Sequence, residues 1–403
     1  MNGANPQSAR PVREGEAGKA PQPTQRFTVD GSAFLERHLA RTCDKILEYV
    51  RLLVPEKKLE ALLLGGGYGR GEGGVLRTEA GDELYNDLEF YVSLRGRDWL
   101  NESIFGDALH KLGSGLTPAF GLDVEFKILS LARLRRSPVN MFYYDLVMGH
   151  RWLVGEESLL AGCEHHREAA NIPLSEATRL LMNRCTGLLF AREKLQQRYL
   201  TDRDADFVGR NLAKAQMAYG DAVLVALGQY HWSCRERHER LMNVAAADDM
   251  PWLAEVQRHH HRGVEFKLRP KRTRPEAMLE LQRQHGELSR LGLRLWLWVE
   301  GRRLNRAFNS VTEYAFNPLN KCPETNPWRN QLVNLRTFGP AAGLGAFHYP
   351  RERLFHALTL LLWEFSTSMP AAMLKRIQAE LRTNATEFSA LVRAYESLWL
   401  KYR

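Results

Sequence analysis

The sequence predicts an α+β fold, a small sheet followed by a mostly helical domain, and three observations carry that reading. A short apolar run, "LEALLL" at Leu59–Leu64, stops at glycines as a buried strand would. Two later segments, "YNDLEFYVSL" (Tyr85–Leu94) and "FGLDVEFKIL" (Phe120–Leu129), alternate apolar and polar residues with the period of a strand. From about Ser175 onward the texture becomes that of long helices.

Residues 1–26 hold Pro6, Pro11, Pro21 and Pro23 among small and charged residues, without the apolar core of a secretory signal, and read as a disordered tail. Ser32 can cap a helix whose apolar positions Leu35, Leu39, Ile46, Val50 and Leu53 recur at helical spacing, and Pro55 marks its end. The alternating segments present Leu88, Phe90, Val92 and Leu94, then Phe120, Leu122, Val124, Phe126 and Ile128, to a core. Their opposite faces carry Asp87, Glu89, Tyr91 and Ser93, and then Asp123, Glu125 and Lys127. A helix around Ile104–Leu112 separates them. The helical part is built from "SEATRLLMNRCTGLLFAREKL", "VGRNLAKAQMAYGDAVLVALGQY", "PEAMLELQRQHGELSRLGLRLWLWVEGRRL" and "RERLFHALTLLLWEF". The polar stretch His259–Glu276 reads as a loop between two of these, and Trp296 and Trp298, set among leucines, read as core.

At 403 residues and 44% hydrophobic content the chain is long enough for two domains with full cores. No apolar run approaches the roughly 18 residues that would span a bilayer. Five cysteines are scattered without a CxxC pair, so neither a disulfide framework nor a zinc knuckle is indicated, and a reducing cytoplasm fits best. The net charge of +9 is spread along the chain and favours anionic ligands only weakly.

The chemistry gathers around "LGGGYGRGEGG", Leu64–Gly74, in which seven of eleven residues are glycine. A strand running into such a turn leaves backbone N–H groups open to phosphate oxygens, and Arg70 adds a fixed positive charge. Neither a dinucleotide fingerprint nor a Walker loop is present. Asp87 and Glu89, two apart on a strand, share one face, and a third acid on a neighbouring strand would complete a divalent-cation site. Taken alone, that acidic pair also reads as an ordinary solvated face neutralised by Lys127 or nearby arginines.

The order of apolar strand, "GGYGRGE", "NDLEFYV" and "LDVEF" resembles the nucleotidyltransferase superfamily related to DNA polymerase β. Its members show a glycine turn, often continuing as Gly-Ser-x-Ala-Arg-Gly-Glu, then an acidic pair and a third acid on a later strand. Gly66, Gly67, Tyr68, Gly69, Arg70, Gly71 and Glu72 match the turn, Asn86 and Asp87 take the place of Ser-Asp, and Glu89 fills the second acid. The third is Asp123 or Glu125, with Asp123 preferred. About twenty positions between Gly67 and Asp87 imply an insertion at "VLRTEAGDEL".

The resemblance implies a small mixed-sheet domain at 27–155 followed by a helical domain at 156–403. It implies transfer of a nucleoside monophosphate from a nucleoside triphosphate, ATP preferred, to an acceptor that could be a small molecule, a protein or RNA, with release of pyrophosphate. Asp87, Glu89 and Asp123 would hold magnesium, two ions with manganese as a substitute, and Glu125 is the other candidate in the acidic set. Gly66, Gly67 and Arg70 would hold phosphates, with Arg179, Asn183 and Lys214 of the helical domain lining the nucleotide cleft. An inactive nucleotide- or RNA-binding module and an antitoxin-like partner protein are the alternatives.

Overall fold

The computed structural model describes residues 26–85, 87–340 and 346–402. The expected N-terminal tail, apart from Arg26, and Asn86 lie outside the described residues.

Helix α1 (Ala33–Leu53) begins where expected, with the Ser32 hydroxyl accepting a hydrogen bond from the Leu35 N–H and with Leu35, Leu39, Ile46 and Val50 buried. Strand β1 (Leu59–Leu64) leads into a single helical turn, α2 (Gly66–Gly69). The inserted segment folds as a hairpin of β2 (Val75–Thr78) and β3 (Gly81–Leu84). There follow β4 (Leu88–Leu94), α3 (Asp98–Phe120), β5 (Val124–Leu129), α4 (Leu131–Leu134), α5 (Met141–Met148) and β6 (Arg151–Val154).

The main sheet has the order β5-β4-β1-β6 and is mixed. Strand β4 runs parallel to β5, while β1 is antiparallel to both β4 and β6. One face, with Leu62, Leu64, Phe90 and Val92, packs against Leu39 and Ile46 of α1 and Leu109 of α3. The other face is covered along part of its length, because Ala61, Leu63 and Tyr91 pack with Leu131, Leu134 and Val147. The polar face expected on β4 is therefore polar and accessible only at its start. Tyr91 and Ser93 are buried, whereas Asp87 is exposed and Glu89 half-buried. Burial of one half of the face leaves the acids at the sheet's open end.

The second half is helical: α6 (Leu174–Leu195), α7 (Asp202–Ala226), α8 (Cys234–Met242), α9 (Leu253–Leu268) and α10 (Met278–Arg303), then shorter helices ending at Phe388–Tyr402. Helix α7 packs on α6 and α9, and α10 on α6 and α7. Trp296 is fully buried there. The stretch expected as a loop from His259 is instead mostly helix, since α9 runs to Leu268 with His259 and His260 buried. The reason is a long-range partner: His260 lies 3.1 Å from the Asp221 carboxylate of α7, so a residue that looks polar in the sequence occupies the interhelical face. Residues 351–365, expected as one helix, form an α-helix over Arg351–Thr359 and a π-helical turn over Leu360–Glu364.

Candidate functional site

The parallel ladder between β4 and β5 sets Glu89 opposite Glu125. Asp87 lies just ahead of β4, and one carboxylate oxygen from each of Asp87, Glu89 and Glu125 lies within 4.8 Å of the other two. The third member of this group is Glu125; Asp123, the acid preferred from the sequence, lies outside it. Asp123 precedes the first residue of β5, where its carbonyl accepts the Leu88 N–H at 2.9 Å and its side chain is exposed and outside the group. Register decides between the two acids, and Glu125 also has the longer reach.

Three carboxylates this close repel unless a cation lies among them. Within the chain Lys127 supplies one, its Nζ 2.9 Å from Glu125 and 3.7 Å from Glu89. Burial pulls the Lys127 ammonium down, but pairing with Glu125 and Glu89 outweighs it and holds the group above its usual value. The Tyr91 hydroxyl donates to Glu89 Oε2 at 3.3 Å. The group offers only oxygen atoms, the donor set that hard divalent cations such as magnesium or manganese take.

The glycine turn abuts this cluster. Gly65 N–H donates to the Glu89 carbonyl at 2.8 Å, and a Cβ placed on Gly66, whose φ is +61°, would lie 3.1 Å from Glu89 Oε2. The first backbone bond inside the turn runs from Gly69 N–H to the Gly65 carbonyl, so the amides of Gly66, Gly67 and Tyr68 precede it. Tyr68 anchors the turn from below: it is fully buried, donates to the Gly74 carbonyl at 2.8 Å and accepts from the Tyr85 N–H at 3.1 Å.

The remaining motif residues have structural partners. Arg70, expected to bind phosphate, is instead paired with Asp145 at 3.1 Å, its side chain only 11% exposed. Glu72 reaches across to the helical part, accepting from Ser233 Oγ at 2.5 Å and from Cys234 N–H at 2.9 Å, and so caps α8. Burial pushes the Glu72 carboxyl up, yet those hydrogen bonds win and hold it below its usual range. The turn, the sheet and the helices are thus tied at one place.

A cavity of about 1170 Å3 lies between α6 and α7. It brings together the three helical residues singled out in the sequence, Arg179, Asn183 and Lys214, with Arg184 and Arg210. Arg179 is partly engaged by Glu176 at 2.8 Å, and the Asn183 side-chain oxygen accepts from the Trp399 indole at 3.3 Å. Among the described residues, Lys214 and Arg184 make no ion pair. Burial, then Arg184 and Arg210, push the Lys214 ammonium below its usual value, while Asp87 acts in the opposite sense and so lies within electrostatic reach. Sequence reasoning missed Lys267, placed in the misread segment. It too makes no ion pair among the described residues, and burial, followed by Arg70 and Arg237, lowers its ammonium.

Neither the protein-family models nor the curated proteins compared with this chain give a match. Among the described residues no helix is long and apolar enough to cross a membrane.

Proposed function

We propose that this protein is a magnesium-dependent nucleotidyltransferase that moves a nucleoside monophosphate from a nucleoside triphosphate to an acceptor and releases pyrophosphate. The observation that carries the reading is the close approach of the glycine turn at Gly66 to the carboxylate of Glu89, inside a three-acid group whose Asp87 is within electrostatic reach of Lys214, a residue that makes no ion pair among the described residues. Phosphate-binding amides, cation ligands and a positive charge belong together when a polyphosphate is the substrate.

Asp87, Glu89 and Glu125 are the residues that would hold the cation, with Lys127 displaced from between them. Magnesium bound there would neutralise charge on the triphosphate and lower the pKa of the acceptor hydroxyl. Gly66 and Gly67 let phosphate oxygens approach the backbone, and Lys214 with Arg184 offsets the negative charge of the leaving pyrophosphate. A carboxylate of the group, Glu125 being the most exposed on its strand, can take the acceptor proton. The cavity between α6 and α7 is large enough for the rest of the nucleotide, for which ATP is the first candidate.

A second reading, a nucleotide-binding module without chemistry, is favoured by Lys127, which pairs with two of the three acids and offsets part of their charge. The two separate in one assay: purified protein is incubated with each α-labelled triphosphate, magnesium and cell extract, and label is followed into products. Stable label on an extract component, dependent on magnesium, supports transfer; tight triphosphate binding without label transfer supports the module.

A further inference from the structure

We propose that helix α8 is a pH-sensitive latch on the glycine turn, closed by a hydrogen-bonded row of three histidines, His238, His260 and His261, that accommodates one added proton and is broken by a second. The proposal goes beyond the transfer reading above, since it describes what holds in place the turn that the reading uses.

Helix α8 is tied to the turn twice. Its N-terminus is capped by Glu72, which accepts from Ser233 Oγ and Cys234 N–H. From its middle, the Arg237 guanidinium donates to the Tyr230 hydroxyl, which donates to Asp145 Oδ2 at 3.3 Å, and Arg70 donates to the same oxygen at 3.1 Å. The helix meets α9 through histidines: His238 Nδ1 lies 3.3 Å from His260 Nδ1, and His238 Nε2 lies 3.2 Å from His261 Nδ1. His260 Nε2 lies 3.1 Å from Asp221 Oδ1 of α7, which also pairs with Arg237 at 3.0 Å. A Cβ on Gly220 of α7 would lie 2.4 Å from the His260 ring and 2.5 Å from Leu241 of α8, so the three helices meet at a glycine with little room to adjust.

Counting protons fixes the behaviour of the row. Burial alone would push the Asp221 carboxyl up, but the Arg237 guanidinium and His260 hold it below its usual value, so it is an ionised acceptor. His260 Nε2 therefore carries a proton, its bare Nδ1 accepts from His238 Nδ1, and the bare His238 Nε2 accepts from His261 Nδ1. Three neutral rings satisfy all three contacts and leave Nε2 of the exposed His261 bare. One added proton goes to that nitrogen and every contact survives. A second must place two protons in one contact, which replaces a hydrogen bond by repulsion between imidazolium rings. Burial, followed by His260 and His261, sets the His238 imidazole below its usual value, with Glu265 acting against them. Of the charged groups around the row, Asp221 is shared with Arg237, Glu265 with Arg269 at 2.9 Å, and Lys267 of α9 adds positive charge at Asp221. The neutral row is thus the state that packs α8, and its contribution is present above the ordinary histidine value of about 6.5 and lost as pH falls below it. Both ties leave from α8, so its displacement frees Glu72 and Arg70 together and acid opens the turn.

Hydrogen exchange in metal-free buffer, without triphosphate, tests this whatever becomes of the transfer reading. In the parent, protection of the amides of residues 66–74 and 234–242, corrected for intrinsic exchange, should fall by about tenfold or more from about pH 7.5 to about pH 5. His238→Gln keeps a donor and an acceptor between the neighbouring rings without a titrating group, and should cut that fall to about twofold or less. His259→Gln removes a buried histidine of α9 outside the row, and should keep the parental fall. Nitrogen-15 NMR of the parent's histidine rings reads the row directly, and should show proton uptake in two resolved steps, about one pH unit or more apart. The proposal is overturned if the parent's turn keeps its protection in acid, if His259→Gln abolishes the loss as fully as His238→Gln, if His238→Gln responds as the parent does, or if the three rings titrate independently.

Discussion

Glu89 and Glu125 are direct partners in the parallel ladder of β4 and β5, so their carboxylates project from the same face at the same height. That pairing, with Asp87 beside it, makes a specific forecast about metal binding. Glu125→Gln should weaken Mn2+ binding by about tenfold or more, whereas Asp123→Asn, outside the group, should change it little. Electron paramagnetic resonance of free Mn2+ during titration measures both, and the reverse ranking would return the third-ligand role to Asp123.

Lys127 competes for the same oxygens. Replacing it with methionine removes the ammonium that lies 2.9 Å from Glu125, so Mn2+ should bind more tightly, while the metal-free protein loses stability from three unneutralised carboxylates. Thermal melts with and without Mn2+ should therefore show a larger metal-induced rise in Tm for Lys127→Met than for the parent. An unchanged rise would mean that the metal does not enter the position the lysine guards.

Lys214 should show opposite effects on stability and binding. Its ammonium is disfavoured by burial and by Arg184 and Arg210, so Lys214→Met should leave the fold as stable or more stable. The same change should weaken binding of a non-hydrolysable triphosphate, as isothermal titration would read. A depressed folded-state pKa also means that the charged form is lost as pH rises through that value, so triphosphate affinity should fall on the alkaline side in the parent and less so in the variant. Equal alkaline loss in both would remove Lys214 from the phosphate site.

How much of this was legible in the sequence differs from element to element. Strand β1 and helix α1 were readable to the residue or nearly so, because Leu59–Leu64 is bounded by glycines and Ser32 supplies a cap. The acids at the start of β4 were readable from alternation, but burial of Tyr91 depends on α4 and α5, which no strand pattern reveals. The choice between Asp123 and Glu125 needed the register of two strands separated by α3. Arg70 looked like a phosphate-site residue and Glu72 like part of the glycine turn, while their partners Asp145 and Ser233 lie 75 and 161 residues away. His260 looked like loop for the same reason, its partner Asp221 being on another helix.

Glu72 gives a stability forecast from one of those distant contacts. Its folded-state carboxyl is held below the usual value, so its contribution is present above the unfolded pKa, near 4.5, and is lost as pH falls below that. Glu72→Gln should cost about 1.5–3 kcal/mol at neutral pH, the range for hydrogen bonds to a charged group. The deficit should shrink as the parent itself is acidified below that pKa. Urea unfolding at neutral and acid pH measures this, and a pH-independent deficit would show that the carboxylate charge does not matter to the cap.

The most direct measurement is magnesium-dependent transfer itself, comparing the parent with Glu125→Gln and Asp87→Asn in the presence of α-labelled triphosphate and cell extract. The account predicts label on the acceptor and pyrophosphate in solution for the parent, and a loss on the order of a hundredfold or more in both variants, which keep their fold. Label transfer at the parental rate in both variants, or no transfer by the parent with any triphosphate under saturating magnesium, would contradict it.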